Sequence, residues 1–367
     1  MEKPLLVVYS SLGLGGIPTR LVEIVNEIGV SAPDRKIYIL LKKKNTFDRR
    51  LSITNKNVVV KDFNEKGYIF TSFVFIIWVW CNIYVYNPQS ILTFISPFSI
   101  PVLLTKIIFF WRTTKIVINE GHFTSTMIQG MYLPFVQNIG IRFLYPLSNC
   151  IIVPTRAIKE DLHNNFGIST NLITIIPNWS RYALVRLQKQ KKSIDLIYLG
   201  RIDKKKRILE LLSIVKYLLH KNKLDLVFKI FGDGPAREEC VQFIKVNKLS
   251  KNIQLYFPTN EVINNLRKSK ILVLNSEKKS EGFPLAILDA MSSGTIVVSK
   301  RFSGVEDVIV NNTNGFIVDS DKDMYECIKH ILHDYYRFKR IIMSAKRYVR
   351  INNSPNNIIL YIRYLNV

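Results

Sequence analysis

Hydrophobic positions along the chain form two patterns that alternate. Short continuous apolar runs, such as LLVVYS at 5–10 and KIVIN at 115–119, predict buried strands. Helical spacing follows many of these runs, as at Leu21, Val25 and Ile28 after the first. Further strands are predicted at 36–41, 150–154, 172–177, 194–200, 224–232, 253–257, 271–275, 295–299 and 315–319. Such alternation predicts an α/β protein with parallel sheets covered by helices.

One interruption divides the alternation into two series of similar size. Around 180–193 the segment SRYALVRLQKQKKS gains charge and loses the strand pattern, which predicts a linker between domains. We expect two Rossmann-like domains, at 1–180 and 193–345, that face each other across a cleft. An amphipathic segment at about 355–367 predicts a terminal helix. Parallel sheets bind ligands at the carboxyl ends of their strands, so we expect the functional residues there.

The charge of the chain narrows the classes of partner. Its 367 residues carry a formal net charge of +24, which favours nucleic acid, an anionic membrane or an acidic small molecule. The lysines are dispersed and no zinc finger, RNP motif or basic heptad helix occurs, so we expect no nucleic acid. Four cysteines without a CxxC pair favour a reducing compartment and thus a cytoplasmic protein. The N-terminal apolar run is too short for us to expect a signal peptide.

The apolar stretch at 69–111 has three interpretations. Residues 69–86 carry no charge and are about long enough to span a bilayer. Ser, Thr, Asn and Tyr dilute this run, which favours a buried helix followed by a buried strand. In the third interpretation, a tryptophan-rich apolar surface beside lysines holds the protein on an anionic leaflet without crossing it. That interpretation predicts a peripheral protein on the inner face of the cell membrane.

A glycine-rich turn follows the first predicted strand. Gly13, Gly15 and Gly16 let backbone amides approach a ligand just before a helix, at its electropositive end. These glycines do not fit the GxGxxG fingerprint, and the next strand ends in Lys42–Lys44 where a dinucleotide-binding protein would have an acid. The turn therefore indicates either an anion site without a dinucleotide or only a tight connection.

Two further turns of this type open the second series. In GRIDKKKR, Arg201 closes a strand and Lys206 lies near the next helix, so both cations suit a diphosphate at the carboxyl edge of the sheet. Lys204 and Lys205 are interpreted as solvated. In FGDGP, at 231–235, the glycines permit close backbone approach and Asp233 is a candidate cap for the following helix.

The segment SEGFPLAILDAMSSG, at 280–294, combines two acids with a helix start. Pro284 predicts the first turn of an apolar helix, so the amides of Gly282, Phe283 and Leu285 lie near a positive helix end that suits a diphosphate. Glu281 precedes this turn and Asp289 lies within the helix. Two carboxylates that flank a phosphate site fit the hydroxyls of a sugar better than the phosphate itself. The alternative is a pair of acids that stabilise the helix dipole.

Other short motifs have weaker chemical content. His122, beside Glu120 after the strand KIVIN, is a candidate contact to a reacting group, although a lone histidine is more often structural. Ser303 and Glu306 match a capping box. The triplet DSD at 319–321 has the letters of a metal-binding motif, but its position after a late strand indicates a loop.

The chain resembles retaining glycosyltransferases of family 4, which have the two-domain GT-B fold. The resemblance covers nearly the whole chain. It rests on GLGGIPTRLVEIVNEI (13–28), NEGHF (119–123), CIIVPTRAIKEDL (150–162), IPNWS (176–180), YLGRIDKKKRILELL (198–212), FKIFGDGP (228–235) and SEGFPLAILDAMSSGTIVVS (280–299). The last segment is the most specific, because such enzymes carry a Glu-x7-Glu motif in which the first acid meets the transferred sugar and the second meets the nucleotide ribose.

The resemblance implies roles for individual residues. Glu281 is the first acid of the motif, and the second position holds Asp289, so the pattern here is Glu-x7-Asp. Arg201 and Lys206 would bind the diphosphate. Gly15 and Gly16 would approach the diphosphate from the acceptor-side N-terminal domain, which the terminal helix would rejoin.

The resemblance also implies contacts around the donor sugar and a mechanism. His122 would lie near the outer hydroxyls of the sugar, and Gly282, Phe283, Pro284 and Leu285 would line the donor site. The family is usually metal-independent, so the expected small molecule is a nucleotide-diphosphate sugar that serves as substrate, without a cofactor. The implied mechanism is front-face attack, in which Arg201, Lys206 and backbone amides stabilise the leaving diphosphate.

Three functions are therefore considered. The first is transfer of a sugar from a nucleotide-diphosphate donor to a surface glycan on a lipid carrier; its lipid part rests on the basic charge and the apolar 69–111 stretch. The second is a sugar-nucleotide epimerase of similar shape, against which the EGFPLAILD pattern argues. The third is a non-catalytic, membrane-associated scaffold, which Glu281, Arg201 and Lys206 disfavour.

Overall fold

The computed structural model describes residues 3–13, 15–43, 52–63, 69–131, 133–222, 225–259, 261–280 and 282–366. The chain divides into two compact units. The N-terminal unit combines Met1–Pro177 with Asn356–Val367, and the C-terminal unit is Asn178–Pro355. Each unit contains its own parallel sheet, so the predicted α/β class with two Rossmann-like domains is confirmed.

In the described part of the N-terminal unit, seven parallel strands form one sheet. The strands are β1 (Leu5–Tyr9), β2 (Ile37–Leu41), β3 (Val58–Asp62), β4 (Ser90–Phe94), β5 (Lys115–Asn119), β6 (Cys150–Val153) and β7 (Ile173–Ile175). The helices that connect them are α1 (Gly16–Ser31), α2 (Ile69–Tyr86), α3 (Ser96–Ile108), α4 (Thr124–Gln129), α5 (Pro134–Leu144) and α6 (Arg156–Phe166). The strand order is β3-β2-β1-β4-β5-β6-β7, so the direction of winding reverses between β1 and β4.

The described part of the C-terminal unit repeats this plan with six parallel strands. The strands are β8 (Ile194–Leu199), β9 (Phe228–Phe231), β10 (Ile253–Tyr256), β11 (Ser269–Leu274), β12 (Ile296–Lys300) and β13 (Phe316–Val318). The helices are α7 (Ile208–Asn222), α8 (Arg237–Val246), α9 (Val262–Lys268), α10 (Leu285–Ser293), α11 (Asp321–His333) and α12 (Lys339–Asn352). The order β10-β9-β8-β11-β12-β13 reverses between β8 and β11.

The central strands are apolar along their whole length because helices cover both faces of each sheet. Residues 5–8 of β1 and 271–273 of β11 are completely buried. The edge strand β3 differs, since its Val59 and Val60 are exposed. Continuous burial explains why these strands read as apolar runs rather than as alternating patterns.

Three helices of the N-terminal unit lie side by side on one face of its sheet. The connections through α2, α3 and α5 advance across the sheet in one direction, and right-handed crossovers therefore put them on the same face. Trp80 of α2 donates a hydrogen bond of 2.8 Å to the carbonyl of Pro101 in α3. On the other side of α3, Ile100 packs closely on Gly140 of α5. A Cβ added to Gly140 would lie 2.6 Å from Cδ1 of Ile100. We call these three helices the α2–α3–α5 layer.

The 69–111 stretch supplies two members of this layer. Helix α2 followed by strand β4 confirms the expected order of helix and strand. Burial of α2 is one-sided, however: Phe75, Val79 and Ile83 are buried, whereas Phe73 and Val85 on the opposite side are exposed. Among the residues that the structure describes, no helix combines the length and the apolar character that a membrane span needs.

The chain returns to the N-terminal unit in its last helix, α13 (Asn357–Leu365). Helix α13 packs on α1 and against β4 and β5. The hydroxyl of Tyr361 accepts a hydrogen bond of 2.6 Å from the side-chain amide of Asn119, at the carboxyl end of β5. Ile358, Tyr361 and Leu365 are buried, so α13 completes the core of a unit whose other elements precede residue 178.

Two predicted local motifs differ from the structure. Ser303 and Glu306 do not form a capping box, because Gly304 stands at the start of a short 3₁₀ turn and no side chain caps it. Glu306 instead pairs with Arg301. A capping box does form at α11, where Ser320 Oγ accepts from the Asp323 amide at 3.0 Å and the Asp323 carboxylate accepts from the Ser320 amide at 3.0 Å. The DSD triplet therefore includes a helix start.

Candidate functional site

The loop after β8 carries both cations of the GRIDKKKR motif. The hydroxyl of Tyr198, in β8, donates a hydrogen bond of 2.8 Å to the carbonyl of Arg201 and so connects the loop to the strand that precedes it. The Arg201 side chain is 69% exposed, with its Nε 3.3 Å from a carboxylate oxygen of Asp203. The other oxygen of Asp203 accepts from the amide of Lys206 at 3.1 Å and caps the 3₁₀ turn at Lys204–Lys206. One carboxylate thus fixes the turn and approaches the exposed guanidinium.

The loop after β9 lies directly against the loop after β8. A Cβ on Gly232 would lie 2.0 Å from the carbonyl oxygen of Gly200, and one on Gly234 would lie 2.3 Å from that of Ile202. The amide of Ile202 donates to the carbonyl of Asp233 at 2.9 Å. The glycines of FGDGP therefore permit approach of a neighbouring loop, which the sequence pattern cannot distinguish from approach of a ligand.

Asp233 does not cap the following helix. Its carboxylate accepts from the amide of Gly234 at 2.9 Å, whereas α8 begins at Arg237 behind Ala236, without a side-chain cap. The amide of Ala236 donates instead to the carbonyl of Ile202 at 3.1 Å. The predicted cap is wrong because the β8 loop supplies the acceptor that the helix start needs.

The loop before α10 joins the β8 loop at Lys206. The amide of Glu277 donates to the carbonyl of Lys205 at 3.0 Å, and the Lys206 ammonium donates to the carbonyl of Ser280 at 3.3 Å. Glu281 itself lies outside the described residues. Gly282 and Phe283 are buried, and Pro284 precedes the first helical residue, Leu285, without a side-chain cap. The structure thus brings Lys206 to the segment that leads into the uncapped N-terminus of α10.

Asp289 contacts a residue that the sequence did not single out. Its carboxylate oxygen Oδ1 accepts a hydrogen bond of 2.6 Å from the hydroxyl of Ser180. Ser180 is buried, and its oxygen also accepts from the amide of Tyr182 at 3.2 Å. The signal for Ser180 lay in the IPNWS segment, but sequence spacing alone does not connect residues 109 positions apart.

Two cavities in the described part of the C-terminal unit are lined by none of the predicted site residues. One, of about 450 Å³, is lined by Arg207, Ser276, Glu277, Lys278, Lys300, Arg301 and Asp319. Two of its cations are paired, since Lys300 contacts Asp321 at 2.7 Å and Arg301 contacts Asp319 at 2.6 Å. The other, of about 610 Å³, lies between α7 and α11. No group of three or more His, Cys, Asp or Glu side chains suited to a metal occurs in the described ranges.

The candidate residues of the N-terminal unit lie near each other. Gly15 precedes α1, which begins at Gly16, and no side chain caps this helix start. His122 is exposed in the turn after β5. A Cβ on Gly121 would lie 3.9 Å from Cγ1 of Ile17, so the turn that carries His122 abuts the first turn of α1. Both segments lie close to the reversal in strand order, where parallel sheets bind ligands.

A buried carboxyl group supports the turn that carries His122. Glu120 is fully buried, accepts from the hydroxyl of Tyr145, and lies 3.3 Å from Oγ1 of Thr124. Burial raises the pKa of Glu120 from its ordinary value of 4.5 to about 8, although the hydrogen bonds from Tyr145 and Thr124 oppose this and the charge of Asp161 adds to it. Burial beside Glu120 also raises the pKa of Tyr145. Near neutral pH this carboxyl group is therefore mostly protonated.

Glu120 was named in the sequence only as the neighbour of His122. The composition of NEGHF gives no sign that the carboxyl group is buried, because Tyr145 and Thr124 come from a 3₁₀ turn and a helix further along the chain. The exposed His122 and the buried Glu120 are separated by Gly121 alone.

Comparison with known proteins points to one class. Residues 184–348 match the family described as glycosyl transferases group 1. One relative is the N-acetylgalactosamine-N,N'-diacetylbacillosaminyl-diphospho-undecaprenol 4-alpha-N-acetylgalactosaminyltransferase of Campylobacter jejuni. The two sequences are 27% identical over 235 aligned residues, which make up 61% of this chain and 62% of the relative. The chain is 31% identical over 136 residues to the UDP-Gal:alpha-D-GlcNAc-diphosphoundecaprenol alpha-1,3-galactosyltransferase of Escherichia coli, covering 35% of this chain and 34% of the relative. The matched parts thus span less than two thirds of either relative.

The fold is shared more completely. The structure of HepE from Anabaena, in complex with UDP and glucose, superimposes with a TM-score of 0.79 at 15% identity and covers 99% of this chain and 98% of that one. This likeness confirms the GT-B fold of two Rossmann-like domains with parallel sheets. Together with the family match and the relatives, it supports a glycosyltransferase of GT-B fold.

The pKa of Glu120 gives a prediction for stability. A carboxyl group whose pKa is raised in the folded state stabilises the fold most below pH 4.5, and this contribution is lost as the pH rises towards about 8. Glu120→Gln keeps the shape of the side chain and is neutral at every pH. Its melting temperature should therefore equal that of the wild type at pH 5 and exceed it at pH 8. Thermal melts at pH 5, 6.5 and 8 measure this gap.

The control for this prediction is Glu160→Gln, which changes an exposed carboxylate on α6 of the same unit. Its melting temperature should stay parallel to that of the wild type at all three pH values. If the difference in melting temperature between Glu120→Gln and the wild type stays constant from pH 5 to 8, Glu120 is ionised in the folded protein over this range.

Proposed function

We propose that the chain is a retaining hexosyltransferase of family 4 type. It transfers a sugar from a nucleotide-diphosphate sugar to a lipid-linked or surface glycan during synthesis of a cell-surface polysaccharide or lipopolysaccharide. The relatives support this acceptor class, because both names specify a sugar linked through a diphosphate to undecaprenol. The reaction takes place in the cytoplasm at the inner face of the cell membrane. No nucleic acid is expected as a partner.

The observation that carries the proposal is the contact between the Lys206 ammonium and the carbonyl of Ser280. It joins the cationic β8 loop to the segment that leads into α10, whose helix start has no side-chain cap. A donor diphosphate there would meet Lys206, the exposed Arg201 guanidinium, and the amides of Gly282, Phe283 and Leu285 beside Pro284. Cations and a helix N-terminus both favour a dianionic group, and these are the residues to which the resemblance assigns the diphosphate.

The remaining roles are proposed from the same resemblance. Glu281 contacts the transferred sugar, Asp289 accepts from the nucleotide ribose, and His122 contacts the outer sugar hydroxyls from the N-terminal unit. Gly15 and Gly16 present backbone amides to the diphosphate at the start of α1. We expect that neither a metal nor a cofactor takes part.

The proposed chemical step is front-face displacement at the anomeric carbon. The acceptor hydroxyl attacks from the side on which the diphosphate leaves, so the configuration is retained. The bond from the anomeric carbon to the diphosphate oxygen breaks as the new glycosidic bond forms, and the acceptor proton passes to the leaving phosphate oxygen. Arg201 and Lys206 stabilise the charge that grows on the diphosphate, which is the largest catalytic contribution in many enzymes.

The test is release of nucleotide diphosphate from a panel of sugar donors, with and without a lipid-linked glycan extract. Release that requires the extract would support transfer and would identify the donor. An epimerase would instead change the donor sugar without acceptor and without releasing diphosphate. Donor binding without turnover on any lipid acceptor would indicate a scaffold.

Loss of either proposed diphosphate cation should slow transfer in this assay. We expect Arg201→Ala and Lys206→Ala to reduce kcat/KM by roughly 100-fold or more, because one lost transition-state donor costs about 3 kcal/mol. Lys204→Ala, an exposed neighbour in the same turn, should retain the wild-type rate. Near-normal rates for both Arg201→Ala and Lys206→Ala would remove the diphosphate assignment.

The hydrogen bond between Ser180 and Asp289 should affect recognition of the ribose. Ser180→Ala removes a donor that orients the Asp289 carboxylate, so we expect a rise of about fivefold in KM for the donor, with kcat nearly unchanged. The preference for the ribonucleotide diphosphate over its 2′-deoxy and 3′-deoxy analogues should fall as well. Competition by these three nucleotides measures the preference directly.

Ser213→Ala is the matched control, because that hydroxyl donates at 3.0 Å to a backbone carbonyl within α7. It should leave KM and nucleotide preference at wild-type values. If Asp289→Asn discriminates the deoxy analogues as well as the wild type does, the ribose role of Asp289 is wrong. If only Ser180→Ala is without effect, Asp289 is oriented by other contacts.

A further inference from the structure

The α2–α3–α5 layer exposes an unusual amount of apolar surface on its outer side. On α5, Phe135, Ile139 and Phe143 are exposed at successive helical turns, whereas Gly140 and Ile141 face the core. Phe135 and Phe143 retain 75% and 72% of their possible exposure. Side chains of this size normally lie inside a protein, so a stripe of them on one helix marks an interaction surface.

The other two helices extend this surface. On α2, the exposed apolar residues Phe73, Ile77 and Tyr84 recur at helical spacing on the side opposite the buried Phe75 and Val79. Beyond the end of α3, the chain exposes Phe110 and Trp111, at 78% and 61%. Because all three helices cover the same face of the sheet, their outward sides belong to one face of the N-terminal unit.

The charged side chains of the three helices and of the loop after α3 are all cationic. Between Glu65 and Glu160 the sequence contains a single acid, Glu120, and that residue is fully buried. The guanidinium of Arg112 lies 4.8 Å from the ring of Tyr84, at the end of the layer. Arg142 of α5 is exposed and donates to the carbonyl of Asn165. The layer therefore combines exposed aromatic residues and cations with a stretch of chain that has no exposed carboxylate.

Charge complementarity decides between two occupants. A second copy of the chain on a twofold axis would bring this face against itself, so that Arg112 and Arg142 meet cations and no carboxylate of the layer. An anionic bilayer offers acyl chains for Phe110, Phe135 and Phe143 and phosphates for the two arginines. Trp111 has the amphipathic ring that prefers the region between the headgroups and the acyl chains.

We propose that the outer side of the α2–α3–α5 layer docks the protein on an anionic membrane surface, without crossing it. This deepens the proposed function, since it names the face through which the enzyme meets a lipid-linked acceptor. Binding needs neither donor nor acceptor and can be measured apart from transfer. Failure to bind vesicles and failure to transfer sugar are therefore separate results.

The experiment is flotation of the full chain with vesicles of phosphatidylcholine, with and without phosphatidylglycerol, at low and high salt. We expect binding to the anionic vesicles that weakens with salt, and a blue shift of the tryptophan emission that Trp111→Phe largely removes. The double variant Phe135→Glu/Phe143→Glu should bind at least about tenfold more weakly, because it adds carboxylates where apolar groups enter the headgroup region.

A matched double variant of the C-terminal unit controls for added charge. Val246 and Met343 are 79% and 71% exposed, so Val246→Glu/Met343→Glu makes the same change in charge at equal exposure. It should bind vesicles within about twofold of the wild type, since neither residue belongs to the proposed docking face.

Three results would overturn the proposal. The wild type could fail to bind anionic vesicles, or Phe135→Glu/Phe143→Glu could bind as the control does. The third is a wild type that is dimeric by light scattering and becomes monomeric in Phe135→Glu/Phe143→Glu without any vesicle binding. That result would identify the face as a contact between copies.

Discussion

In a parallel sheet, each connection returns to the start of the next strand, so every loop that leaves a carboxyl end emerges along one edge. Both units obey this constraint, and the candidate residues follow from it. In the C-terminal unit, Gly200, Gly232 and Asn275 each follow the end of a strand, and their loops are neighbours although the sequence separates them widely. The motifs are widely separated in the sequence, but in the fold they lie at the carboxyl edges of the two sheets.

Within that edge, backbone contacts add to the side-chain hydrogen bonds of Tyr198 and Asp203 in positioning the cationic turn. Gly232 approaches the carbonyl of Gly200 more closely than any side chain would permit, and the amide of Glu277 holds the carbonyl of Lys205. Lys206 is therefore fixed by the chain on both sides before its ammonium reaches Ser280. The proposed diphosphate site, built in this way, would need little reorganisation on binding, which is the condition under which fixed charge is most effective in catalysis.

The sequence predicted the central strands well because burial on both faces makes them continuous apolar runs, but it missed the edge strand β3, whose Val59 and Val60 are exposed. It predicted β8 and β11 within two residues, and it assigned the helix after Pro284 correctly. It failed where a backbone group from a distant loop substituted for a side chain. Asp233 does not cap α8 because the carbonyl of Ile202 accepts from the start of that helix, and no local pattern announces such an acceptor.

The candidate site divides in the same way. Arg201, Lys206 and the 280–285 segment were recognisable, because charge and glycine mark the ends of strands. Ser180 and Glu120 could not be recognised, because their roles depend on partners more than 20 positions away in the sequence. Ser180 contacts Asp289, and Glu120 contacts Tyr145. The residue types at these two positions carry no signal apart from the contacts. The role of Glu281 remains a prediction from sequence, because that residue lies outside the described part of the chain.

The return of α13 to the N-terminal unit has a consequence for biosynthesis. The whole C-terminal unit is inserted, in the order of the chain, between β7 and the helix that covers β4 and β5. A ribosome therefore releases Tyr361 and Leu365 only after the second sheet has been synthesised. Until then the first sheet lacks the cover that these buried side chains provide. The unit that is translated first is thus completed only after the second unit, and part of its sheet stays uncovered until α13 has been synthesised.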